Sequence, residues 1–202
     1  LAPCTINKCL SALRGILEQA WRTGEIPDDE YRKIGKIKNV RGESDRAGKA
    51  LAPDELSALS AAIERLSTAG DETSRRDAAL LVTLYACGLR RVEAARLRRE
   101  DYDPRAGTLR AKGKGGKPRT VPVAPEWRAS FEAHWQTLKP RSPVFRSERG
   151  ARHLTREGVS DIVRRFCDGT ELKFTPHDLR RSFGTHLLAA GADVLTVQKL
   201  MG

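Results

Sequence analysis

The sequence runs to 202 residues, 39% hydrophobic and 31% charged, a balance that fits a folded chain of one domain or one domain with part of another. Lysine and arginine total 37 against 26 acidic residues, a formal net charge of +11 that points to a polyanionic partner. No apolar run approaches the length of a membrane span, and Leu1-Ala2-Pro3 does not open a signal peptide, so membrane-embedded and secreted classes are excluded and a cytoplasmic protein is expected.

The four cysteines, Cys4, Cys9, Cys87 and Cys167, have no CxxC spacing and read as reduced thiols. In chain order, Ile6, Leu10, Leu13, Leu17 and Trp21 recur at helical spacing and predict an amphipathic helix over 5–23, with Lys8, Arg14 and Arg22 opposite. Gly24 and Pro27 end it, and a shorter helix is predicted from Asp28. One helix and a stub cannot bury a core, so residues 1–40 are expected to be the end of a larger N-terminal domain, with a linker over the polar stretch 41–50 and a second domain over 51–202.

Pro53-Asp54-Glu55 opens a helix carrying Leu56, Leu59, Ile63 and Leu66, and another is predicted from Ser74 to Cys87, stopped by Gly88. A short helix follows over Leu89–Leu97, with Arg90 and Glu93 one turn apart. The period then switches to two. Asp101–Asp103, Thr108–Ala111 and Arg119–Val123 read as three antiparallel strands, the second turn being Gly113-Lys114-Gly115-Gly116. Helices are predicted again over Glu126–Leu138, Thr155–Phe166, from Pro176 to Gly191, and over Asp193–Met201. The fold class expected is α+β, mainly helical, with a small three-stranded sheet.

The stretch Thr175-Pro176-His177-Asp178-Leu179-Arg180 combines an N-cap threonine, a proline at the first helical position and an acid that completes a capping box. His177 and Arg180 then share one face at a helix N-terminus, where backbone amides favour an anion. The stretch has two readings: a cap with a surface arginine, or half of an anion site. Two guanidiniums such as Arg90 and Arg180, charged at working pH and able to grip two oxygens at once, suit the extra negative charge of a phosphodiester under attack.

Four segments in order, Gly88-Leu89-Arg90-Arg91-Val92-Glu93, Gly113-Lys114-Gly115-Gly116-Lys117-Pro118-Arg119, His177-Asp178-Leu179-Arg180 and Thr185 to Asp193, together resemble the tyrosine recombinase family, the integrases and site-specific recombinases related to phage lambda integrase. The resemblance covers about Leu51 to the end, and the helix at 5–23 resembles the end of that family's core-binding domain. It implies site-specific DNA strand cleavage and rejoining through a 3′-phosphotyrosine link, without ATP, metal or other cofactor, on double-stranded DNA and with other recombinase subunits in a synaptic complex. It assigns Arg90, Lys114, His177 and Arg180 to catalysis, with Lys114 as general acid and Glu93 in support of Arg90. Lys112 and Lys117 are neighbouring candidates for the lysine role, which rests on the resemblance and not on spacing. Arg91, Lys112, Lys117 and Arg119 are expected at the DNA backbone, and His186 is read as structural. The chain departs from the family in its nucleophile. Tyr31, Tyr85 and Tyr102 do not fall where the family's tyrosine does, so the sequence is expected to be an inactive, monomeric fragment lacking it. Replacing Arg180 is expected to abolish cleavage in the intact protein at little cost in stability. The alternative is a non-catalytic, recombinase-like DNA-binding protein.

Overall fold

The computed structural model describes residues 3–40, 48–113, 118–147 and 152–202, with the side chain of Cys4 outside that description. The chain divides into two compact units between Ala47 and Gly48. The first holds α1 (Pro3–Arg22) and α2 (Asp28–Gly35). Gly24, at φ +79°, makes the turn that ends α1, and α2 carries acids in its first turn and bases in its last, as its dipole favours. The two helices meet where Trp21 stacks on Tyr31, ring centroids 4.8 Å apart. No residue of α2 is buried.

The second unit contains α3 (Pro53–Thr68), α4 (Glu72–Tyr85), α5 (Arg91–Ala95), β1 (Tyr102–Asp103), β2 (Thr108–Lys112), β3 (Pro118–Pro122), α6 (Pro125–Trp135), α7 (Arg156–Asp168), α8 (Pro176–Ala189) and α9 (Val194–Met201). Helix α4 is buried around its circumference from Ala78 to Tyr85, apolar except for Thr83, and α3, α6 and α8 pack around it. It begins before the predicted Ser74 because Asp71 caps it, accepting from the Ser74 amide at 2.8 Å.

The strands form an antiparallel sheet in the order β1-β2-β3, with Leu109 opposite both Tyr102 and Val121. Leu109, Ala111, Val121 and Val123 point into the core. Asp101, expected in the first strand, lies in a 3₁₀ turn over Arg99–Asp101, where its carboxylate accepts from the Arg98 amide at 2.9 Å and turns the chain away from extended geometry. Among the described residues, no helix is long and apolar enough to cross a membrane.

Candidate functional site

The start of α8 is built as its sequence dictates. The Asp178 carboxylate accepts from the Thr175 amide at 2.8 Å, the Thr175 hydroxyl accepts from the Asp178 amide at 3.3 Å, and Pro176 needs no donor in the first turn. Leu179 and Phe183 anchor the helix in the core, leaving His177 exposed at its tip. The far end of the same helix is tied to the chain entering the unit. His186 Nε2–H donates to the Leu51 carbonyl at 3.0 Å, which leaves Nδ1 to accept from the Tyr85 hydroxyl at 3.0 Å.

Arg180 lies one turn in from His177 and is 7% exposed. Its Nη1 donates to the Gly88 carbonyl at 2.5 Å and its Nη2 to the Met201 carbonyl at 2.7 Å. Burial, and then repulsion from Arg90, lower its pKa to about 10, which still leaves it charged at neutral pH. The small stability cost expected for replacing Arg180 is therefore corrected: its loss strands buried carbonyls that the guanidinium now satisfies. Gly88 makes this approach possible. Its φ is +56°, and a Cβ there would lie 2.3 Å from the Phe183 ring.

Arg90 is the N-cap residue of α5 and not part of a helix over 89–97, because its backbone is extended. Its amide donates to Glu93 Oε2 at 2.8 Å and its Nη1 to Glu93 Oε1 at 2.9 Å. Its Nη2 reaches the Gly202 carbonyl at 2.5 Å. The Glu93 side chain is 4% exposed, with Arg180 Nη1 3.9 Å from Oε2. Burial alone would raise its pKa, but hydrogen bonds from Arg119 and from the Arg90 amide and guanidinium overcome that and hold it below the ordinary glutamate value.

Arg90, Arg91, Val92, Arg156, Pro176, His177 and Arg180 line a cleft of about 290 Å³. Five of these seven side chains are basic or imidazole, so the cleft is suited to a small anion or to one group of a polyanion. Arg91, at its edge, donates to the Ser160 hydroxyl of α7 at 2.8 Å. Arg156 was not foreseen. Its place directly after the cap residue Thr155, at the same helix-start position that Pro176 takes before His177, was the available signal.

Lys112 is exposed at the end of β2. Lys114 and Lys117 lie outside the described residues. Arg119, expected at the DNA backbone, is turned inward: Nη1 and Nη2 donate to Glu93 at 3.0 and 2.7 Å, and Nε donates to the Leu200 carbonyl at 2.7 Å. Strand alternation puts Arg119 on the same side as buried Val121, which is why it faces in. The Tyr102 hydroxyl donates to Glu132 at 2.5 Å, so the hydroxyls of Tyr102 and Tyr85 are both engaged away from the cleft. His134 and His153 bond the carbonyls of Val144 and Ala95. Among the described residues no group of His, Cys, Asp or Glu side chains is placed to hold a metal ion.

The sequence profile of the Phage integrase family matches residues 49–202. Tyrosine recombinase XerC of Rhizobium meliloti strain 1021 is 39% identical over 132 residues, covering 63% of this chain and 42% of the relative. Tyrosine recombinase XerD of Listeria monocytogenes is 30% identical over 213 residues, covering the whole of this chain and 68% of the relative. The chain thus spans about two fifths of one relative's length and two thirds of the other's. The integrase of transposon Tn1549, solved in complex with a circular intermediate DNA, is alike in fold, with TM-score 0.73 at 18% identity over all of this chain and 72% of the integrase chain.

Proposed function

This chain belongs to the phage integrase family, the tyrosine recombinases, and from that premise we propose that its cleft grips one phosphodiester of duplex DNA for site-specific strand cleavage and rejoining through a 3′-phosphotyrosine link. The observation that carries this is the meeting of Arg90, the N-cap of α5, and Arg180, of α8, in one cleft at the N-terminus of α8. Each guanidinium has five donors, and the backbone contacts made by Nη atoms leave others to face a ligand. Two fixed cations beside a helix N-terminus stabilise the negative charge that grows on the non-bridging oxygens during attack.

In this reading Glu93 holds the Arg90 guanidinium in one orientation, and His177, exposed at the rim, assists at the phosphate or handles the nucleophile's proton. Lys114 serves as general acid toward the departing 5′ oxygen. Arg91, Lys112 and Lys117 contact flanking phosphates, which position the duplex without reading its sequence. None of Tyr31, Tyr85 and Tyr102 is assigned the role of nucleophile in this reading. The first unit is proposed to be the end of a helical domain that also holds DNA, and the 202-residue chain to be a monomer that joins further subunits in the intact recombinase. The reaction takes place in the cytoplasm and needs no cofactor.

Replacing exposed Arg90 by Gln tests the clamp without disturbing buried carbonyls. Duplex affinity measured by fluorescence anisotropy should fall, and the slope of log K against log salt should shallow by about 0.9, one phosphate contact. Wild-type affinity that does not change with salt, or an Arg90→Gln protein that binds as wild type, refutes the reading.

A further inference from the structure

We propose that Arg119 is a positioning residue that presets the clamp, locking Glu93 and through it Arg90, instead of touching DNA. This rests on the clamp reading above and deepens it. Three observations carry it. The Arg119 guanidinium grips both Glu93 oxygens, at 3.0 Å to Oε1 and 2.7 Å to Oε2. Its remaining nitrogen caps the Leu200 carbonyl at the end of α9, at 2.7 Å. Its side chain is 10% exposed, so it is aimed away from solvent and from any duplex lying over the cleft.

The consequence follows from geometry. A carboxylate free on a short helix could rotate and take Arg90 with it. Held by a two-pronged guanidinium, Glu93 has one orientation, and its Oε1 presents a fixed acceptor to Arg90 Nη1 at 2.9 Å. The same carboxylate offsets the repulsion among three guanidiniums gathered around it, since Arg180 also stands 3.9 Å away. Arg119 and Arg180 also donate to successive carbonyls of α9, Leu200 and Met201. One side chain on β3 thereby joins α5 and α9, and α5 carries half of the clamp. A lysine cannot substitute: it is a single point charge that cannot span two carboxylate oxygens and a carbonyl at once.

The test compares four forms of the 202-residue chain: wild type, Arg90→Gln, Arg119→Lys and the double variant, each checked for a cooperative melt and then titrated with a duplex by anisotropy. Because Arg119→Lys keeps the charge, a direct phosphate contact would leave affinity nearly unchanged. Positioning predicts instead a loss of about tenfold for Arg119→Lys, and no further loss when it is added to Arg90→Gln. Should Arg119→Lys not fold, Glu93→Gln, which also releases the lock, replaces it in the same cycle with the same expectation. Arg119→Lys binding as wild type, or losses that multiply in the double variant, overturns the inference while leaving the clamp intact. Arg90→Gln binding as wild type overturns both.

Discussion

Ion pairs on α1 and α2 and ion pairs around Glu93 use the same side chains in opposite surroundings. Arg22–Glu18, Arg32–Asp28 and Lys33–Asp29 are one-turn pairs whose side chains are between 45% and 76% exposed. Arg119–Glu93 joins side chains 10% and 4% exposed. Water screens the first set and competes for every hydrogen bond in it, so those pairs can form or break with little change in free energy. The second set has left water behind. Its charges depend on one another, and neither Glu93 nor Arg119 can be removed without leaving a buried charge uncompensated. Exposed and buried ion pairs are therefore different devices, although composition counts them alike.

Glu93→Ala should break the comparison most sharply. It leaves the buried Arg119 and Arg180 without their carboxylate and is expected to cost about 3–5 kcal/mol in chemical denaturation. Because the folded-state pKa of Glu93 is held below the ordinary 4.5, its contribution is fully present above that value and is lost as pH falls below it. The stability gap between wild type and Glu93→Gln should accordingly narrow in acid, and a gap that widens would contradict the sign of that shift. The apolar side of the comparison is next. Leu80→Ala, at a fully buried position of α4, should cost about 2–5 kcal/mol, whereas Leu13→Ala, at a position 51% exposed in α1, should cost well under half of that by the same measurement. The smallest effect belongs to Arg22→Ala, which should change stability by no more than about 0.5 kcal/mol. A larger loss there would mean that the pair on α1 is not simply a solvated one.

Much of this could be read from residues alone. The cap over Thr175–Asp178 is local chemistry, complete within four positions, and the existence of three short strands follows from the switch to a period of two. What is not legible there has one physical origin. Charge alone points Arg119 toward a polyanion, whereas its alternation with Val121 puts it on the inner face, where it binds Glu93. The low cost expected for losing Arg180 differs from its burial because nothing local reveals that Gly88 and Met201 turn their carbonyls toward it. Arg156 joins the cleft only through the fold, since its neighbours there come from α5 and α8.

Periodicity, caps and turns act over a few residues, and they were enough to specify the helices, the sheet and the presence of two arginines suited to a phosphate. Which charges share one carboxylate is a question of long-range closure: Glu93 and Arg119 are 26 positions apart, and Gly88 and Arg180 are 92 apart. Those meetings are set by how α4, α8 and the sheet pack, since burial turns an attraction worth little in water into a fixed geometry.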